Sequence, residues 1–467
     1  MSLGLYRLVA IETRRNAGVW LVVAIPLVSW WLLSAWGWVA ILWSSTNEQL
    51  QAAVAPFAVP AVAGVAAWMA GRDRRRGIED LLDSTPAPPA AREIALWAAT
   101  AAWGVLAYAT FAAFMMARTA LSATWGGPDL WRVAIVLAAI LAGAAWGSLI
   151  GRQIPSRLTP PLVTVGVLGS MLFLANYRVP AASGGSNPSW VNYLAPDKTT
   201  PETAPWQMLL YTGLTVAALA GSALRRRRAV LYLVALGIAA LLALAGAVMV
   251  WGSWPRYDPA TGLMRDGWGR PITSPTLEAV QPVCRGAPVS VCVHPQYLPL
   301  LDEAVEEANR LVEPLLGLPG VPMRAEEDDA GFVGGGSSSL LEVGNQGWLS
   351  VAAFADDLVA DPESRVDGAI VNEAQLAIRI WLIERARIRH AHTLGCHEGI
   401  PAIVTEDSWR PLHEFVPGSS NLDGMPTPQI CQAVERFSRL SPAEQRDWLE
   451  AHYADLRAGR LALDDLP

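Results

Sequence analysis

The residues best suited to metal or redox chemistry in this 467-residue chain are six histidines and four cysteines, and all ten fall after residue 280. His390, His392, Cys396 and His397 form an H-x-H-x3-C-H cluster with the ligand types of a zinc site. Cys284, Cys292, Cys396 and Cys431 are also an even set, which suits disulfides in an oxidising compartment. Cys284 with Cys292 and Cys396 with Cys431 would close two loops, each stabilising by roughly 2–4 kcal/mol. That pairing is preferred among the three connectivities. It competes with the zinc reading, because oxidation of Cys396 removes a ligand, and the disulfide is favoured. No G-x4-G-K-S/T phosphate loop, H-E-x-x-H pair or Ser/His/Asp arrangement occurs, so the chain reads as neither an ATPase nor an enzyme with an intact catalytic motif.

The elements that carry these residues belong to two solvents. With 52% hydrophobic residues and a mean hydropathy of +0.28, the chain is too apolar for a soluble protein of its length. Residues 1–251 hold 18 of the 35 Lys+Arg but 10 of the 42 Asp+Glu, and the remainder is strongly acidic. The first part therefore suits a bilayer and the second suits water. The Arg- and Ala-rich usage resembles that of a high-GC bacterial genome.

Residues 1–16 alternate Leu and Val with Arg and predict an interfacial amphipathic helix, not a signal peptide. Seven apolar runs follow, at 18–43, 52–70, 94–116, 133–150, 161–176, 208–224 and 229–250. At about 1.5 Å per residue each crosses a hydrocarbon core of roughly 30 Å, with tilt where it is long. A polar turn is expected at 44–51, kinks at Pro56 and Pro60, and a substantial outside loop at 177–206. Arginine clusters fall at alternate turns, which places the N-terminus in the cytoplasm and the C-terminal part outside it. No ionisable side chain lies well inside a span; Arg118 and Arg132 lie near ends. Ion-coupled transport is therefore disfavoured.

Between the second and third spans runs GRDRRRGIEDLLDSTPAPPAAREI, Gly71–Ile94. Ile78, Leu81 and Leu82 give a short helix one apolar stripe, with Glu79 and Asp80 turned away and prolines to stop it. Two turns are marginal alone, so this helix must rest on lipid or on a partner.

Gly77, Glu79, Leu81, Leu82, Thr85, Pro86 and Arg92 resemble the first cytoplasmic loop of exporter-type (type-2) ABC transporter permeases, with Arg75 and Ile78 departing from the usual acid and Thr. The resemblance covers about residues 1–228. It implies a membrane all-α, six-span permease-like core at 17–228, with loop 71–93 as the coupling segment that docks on a separate ABC ATPase carrying ATP and Mg. The chain itself would need no cofactor. The resemblance further implies a permease homodimer or heterodimer moving an amphiphilic or hydrophobic substrate, such as a lipid, peptide or antibiotic-like molecule, across the bacterial cell membrane. The seventh span, 229–251, and a connector, 252–280, then lead to an extracytoplasmic α/β domain at 281–467. Nucleic acid is excluded as a partner by that domain's acidity.

In the C-terminal part, helices are expected at 297–315, with acids on the far face, at 365–391, at 428–440 and at 442–457, the last capped by Ser441 and Glu444. The element order is faintly similar to zinc peptidases of the gluzincin type. At the comparable place stand only Asn372, Glu373 and Leu376, with Glu406 downstream, so the implied site is inactive. Two alternatives to transport therefore stay open: a membrane-anchored binding or sensor protein, and a membrane-bound metallopeptidase, degenerate or active.

Overall fold

The computed structural model describes residues 3–36, 38, 40–77, 89–176, 178–180, 186–188, 194–196, 200, 202–223, 229–253, 256–258, 263–265, 270, 282–326, 342–343, 349–351, 354–361, 370, 372–388, 393–397, 400–404, 409–411 and 426–467. It divides into two compact units, Met1–Ser122 with Gly126–Ser274, and Ala123–Trp125 with Pro275–Pro467.

The first unit is a helical bundle. Its described helices are α1 (Leu3–Arg15), α2 (Leu21–Trp36), α3 (Trp43–Gln49), α4 (Ala55–Ala70), α5 (Arg72–Arg75), α6 (Pro89–Ala120), α7 (Leu130–Gln153), α8 (Thr159–Asn176), α9 (Ala204–Ala223) and α10 (Ala229–Ser253). Among the described residues six segments are long and apolar enough to cross a membrane: Ala17–Ser34, Trp43–Ala70, Ala90–Ala120, Leu130–Gln153, Thr159–Asn176 and Leu231–Ser253. Their outward faces are greasy, with Trp20, Trp31, Leu162, Val165 and Leu241 all about two-thirds or more exposed. Such a surface belongs in lipid. The expected run 208–224 is the helix α9, which is not among the six. Gln207, Tyr211, Thr212 and Thr215 dilute its apolarity, and it packs against α7 and α10.

The polar turn expected at 44–51 is instead helical. α3 runs through a π-helical turn, Leu50–Val54, into α4. The wide turn falls just before Pro56, whose ring would collide with a tight preceding turn. Buried Thr46 of α3 finds partners: Trp38 Nε1 donates to Thr46 Oγ1 at 3.0 Å, and the Thr46 and Thr119 hydroxyls lie 2.6 Å apart. Tyr108 is fully buried beside this turn, and its hydroxyl donates to the Leu50 carbonyl.

Close packing of α4 on α7 rests on glycine. Gly143, Gly147 and Gly151 repeat every four residues along one face of α7. A Cβ on Gly143 would lie 3.0 Å from Val59 Cγ1, and one on Gly147 or Gly151 would overlap the carbonyls of Ala63 or Ala67. α9 and α10 do the same: a Cβ on Gly246 would lie 2.6 Å from the Leu210 nitrogen. Small residues at fourfold spacing let helix backbones approach where no hydrophobic force drives them together.

The second unit has its own core. Strands β5 (Val283–Arg285), β6 (Ser290–Val293) and β7 (Arg324–Glu326) form a sheet, antiparallel then parallel, with α11 (Leu298–Val312) in the crossover. Leu301, Ala308, Leu311 and Leu315 are buried as their spacing predicts. Glu307 is the exception to the exposed acidic face, being 1% exposed. The other described strands are short and pair in separate sheets: β1 (Arg178–Pro180) with β2 (Ser186–Pro188) and β3 (Arg256–Asp258) with β4 (Leu263–Arg265) in the first unit, and β8 (Glu342–Val343) with β9 (Leu349–Ser350) and β10 (Thr393–His397) with β11 (Ile400–Val404) and β12 (Trp409–Pro411) in the second.

The helix expected at 365–391 is shorter, α13 (Glu373–Ala386). Asn372 caps it by accepting from Gln375 N at 3.0 Å, and Arg387 ends it in the left-handed region at φ 49°. α13 is also buried on every side and not on one stripe, with Gln375, Leu376, Ile380 and Ile383 inside beside Ala374, Ile378, Trp381 and Leu382. Trp381 meets Phe437 of α14 (Pro428–Arg439) edge-on at 4.9 Å.

α15 (Pro442–Arg457) begins with the expected capping box. Ser441 N donates to Glu444 Oε2 at 2.8 Å, which holds the Glu444 carboxyl below its ordinary value. A lowered carboxyl stabilises the cap above the unfolded-state value and loses that contribution as pH falls through the folded one. The protection factor of the first-turn amides of α15, that is, exchange relative to the intrinsic rate at each pH, is expected to fall on acidification in the native chain and to stay constant over the same range in Glu444→Gln.

The glycine contacts make a second prediction. Gly147→Leu or Gly151→Leu should cost about 1–3 kcal/mol or more through overpacking. The readout is a lowered melting temperature and a broadened size-exclusion peak in detergent. Gly166→Leu and Gly169→Leu on α8, where a Cβ meets nothing within 4 Å, should leave both unchanged.

Candidate functional site

At one end of the bundle, α1, α4, α5, α6, α7 and α9 surround a cavity of about 1100 Å³. Charge collects because α1, α5, α6 and α7 each end or begin there, while α4 and α9 add uncharged side chains. Arg14 and Arg15 close the last turn of α1, where cations complement the helix dipole. Arg72 to Arg76 follow the end of α4, and Arg152 follows Gly151 at the end of α7. Arg92 and Glu93 stand in the first turns of α6. Among the described residues eight arginines line the cavity with three acids, Glu12, Asp73 and Glu93, and its apolar walls include Trp20, Trp68 and Trp97.

The acids act as clasps between elements. Glu12 on α1 takes Arg72 at 3.3 Å, and Asp73 takes the same arginine at 3.1 Å. Burial pulls the Arg72 guanidinium down, but Glu12 and Asp73 outweigh it and hold the group above its ordinary value. Glu93 pairs with Arg152, and Ser222 of α9 donates to Glu93 at 2.8 Å, so one carboxylate joins α6, α7 and α9. Arg74 donates to the Arg152 carbonyl at 3.0 Å. α1 is fastened separately: buried Asn16 donates to Thr100 at 2.8 Å and accepts from Gly18 N, and Trp103 donates to the Thr13 carbonyl at 3.0 Å.

Arg75 differs. Its guanidinium lies 4.3 Å over the Trp68 ring and donates to the Trp68 carbonyl. Burial first, and then the like charges of Arg157 and Arg76, push it below its ordinary value.

Of the residues singled out in the sequence, Gly77 sits exposed at φ 66°, ending the short turn of α5; a Cβ there would meet nothing, so conformation alone favours glycine. Arg92 lines the cavity. Ile78, Glu79, Leu81, Leu82, Thr85 and Pro86 lie outside the described residues. Cys284 pairs with Cys292 across β5 and β6, and Cys396 with Cys431 between β10 (Thr393–His397) and α14, with Cα atoms 5.3 Å apart. His397 lies in β10, while His390, His392 and Glu406 fall outside the described residues. Among the described residues no group of three His, Cys, Asp or Glu side chains could hold a metal ion. Asn372 and Glu373, at the place of the faint peptidase resemblance, are the cap and first residue of α13.

Sequence reasoning passed over Glu12, Asn16, Glu93, Arg152 and Ser222 as members of one site. A signal for one pairing was present: Glu93, an acid at the start of an apolar span, and Arg152, a base at the end of the next, must share a membrane face. The chain matches no known protein family model, no curated protein and no solved structure.

Glu93→Gln should lower stability by about 1 kcal/mol, since the pair is only partly buried. The single variants Glu93→Gln and Arg152→Gln and their combination, melted in detergent, should be non-additive; strict additivity would mean that the two do not interact.

Proposed function

We propose that the chain is the membrane subunit of an ABC exporter or a related ABC complex, working as a pair of permease chains with separate ATPase subunits. The observation that carries this reading is the anchoring of the segment that enters loop 71–93. Arg72 is bound to Glu12 on α1, and Arg74 to the Arg152 carbonyl on α7. A push on the loop would therefore reach the interfacial helix and two long helices at once, as a transmission element requires. The fit of Gly77, Glu79, Leu81, Leu82, Thr85 and Pro86 to the coupling-loop pattern supports it.

In this reading the basic end faces the cytoplasm of a bacterial cell and the loop docks on the ATPase. The cargo is amphiphilic. α9 is counted as a crossing too: it packs along α7 and α10, and its last turn meets Glu93 at the same end as α4. With seven crossings in this reading, the acidic C-terminal unit is an extracytoplasmic α/β domain with two disulfides that receives or gates cargo.

The test is a reconstituted vesicle assay with the partner ATPase. The double variant Glu79→Ala/Leu82→Ala should keep ATP hydrolysis and lose transport, with the chain's melting temperature unchanged. Transport that stays coupled in that variant would sink the assignment.

A further inference from the structure

We infer that the cavity at the basic end of the bundle is a binding site for the phosphate headgroup of an anionic phospholipid, whose acyl chains run down the exposed apolar face beside α2. The inference does not depend on transport, because binding can be read on the isolated chain.

Charge makes the first part of the argument. Three carboxylates cannot neutralise eight guanidiniums. Counting Glu79, Asp80 and Asp83 of the adjoining loop raises the acids only to six, while Arg157 and the run Arg225–Arg228 add further positive charge to the neighbouring segments. The surplus is held in a partly buried, apolar-walled space, where like charges are screened least. Arg75 feels it directly, being pushed down by burial and by Arg157 and Arg76, and its Nη1 is a buried donor with no hydrogen-bond partner. An anion entering the cavity relieves both conditions.

Shape and surroundings decide between a soluble anion and a lipid. About 1100 Å³ is far more than inorganic phosphate fills and is the size of site that takes a larger ligand. Its walls carry Leu8, Val19, Trp20 and Leu219 among the charges, and Trp20 and Val19 are 73% and 44% exposed, continuing into Val23 at 61%. That strip leads from the arginines onto the lipid-facing side of α2. A headgroup beside guanidiniums with its chains on an apolar helix face is the ordinary arrangement of anionic lipid recognition.

Native mass spectrometry of the full chain, released from detergent with either phosphatidylglycerol or phosphatidylcholine, tests this. Phosphatidylglycerol should be retained selectively, and Arg15→Gln/Arg75→Gln/Arg76→Gln should weaken it by about fivefold per arginine removed, on the order of a hundredfold in all. Arg118→Gln, outside the cavity, should have no effect. Equal retention of the two lipids, or selectivity unchanged by the triple variant, overturns the proposal. So does displacement of phosphatidylglycerol by millimolar pyrophosphate, which would make the site one for a soluble anion. Should the triple variant fail to fold, the lipid comparison and the pyrophosphate competition on the unaltered chain decide alone.

Discussion

The approach of α7 to α4 through Gly143, Gly147 and Gly151 is the constraint on which the rest of the bundle depends. In an apolar solvent, burying one greasy helix face against another gains little, so helices associate only where their backbones come close enough for dense van der Waals contact. Gly151 lies against the Ala67 carbonyl, three residues before the end of α4. That contact delivers Arg152 to the same place as Arg72 to Arg76. The crowding of arginines follows directly from the packing that holds the helices together.

Crowded cations at a helix-bundle end must be offset, and the carboxylates that do it come from outside the packed pair. Glu12 belongs to α1 and Glu93 to α6. α1 is thereby recruited to the bundle, and its tie through Asn16 to Thr100 is a buried hydrogen bond that excludes a loosely floating helix. The charge surplus and the fastening of the N-terminal helix are two consequences of one geometry.

How much of this could be read from the residues depended on whether the signal was local. Each apolar run holds a helix, although that of 18–43 stops at Trp36, because hydropathy over some twenty residues is a local property, and the capping box at Ser441 was legible because its two partners are three residues apart. The Cys284–Cys292 pairing was legible for the same reason, since the two cysteines flank one hairpin. α3 differs from the expected turn because Thr46 is satisfied by Trp38 and Thr119 and Asn47 by the Gly127 carbonyl, contacts that composition does not report. The cavity was invisible as a unit because its six elements are joined by pairs 59 to 129 residues apart. The four-residue glycine repeat of α7 was the missed sequence clue that would have placed Arg152 beside the loop.

α13 follows a different physics. Surrounded by core on every side, it shows no one-sided apolar stripe, which is why its extent was overestimated from sequence. Its polar residues hold the C-terminal segment: Asn372 donates to the Gly459 and Leu461 carbonyls at 3.2 and 3.0 Å, and Gln375 to those of Leu456 and Arg457 at 2.8 and 3.1 Å. Tyr453 of α15 donates to the Leu358 carbonyl at 2.6 Å, drawing α12 (Phe354–Val359) into the same knot. The position that the faint peptidase resemblance would give to metal chemistry is therefore occupied by side chains that tie down the last turn of the chain. Supplying histidines at Asn372 and Leu376 would loosen that turn before it built a metal site, because the half-buried Gly459 and Leu461 carbonyls would lose the one amide that donates to both.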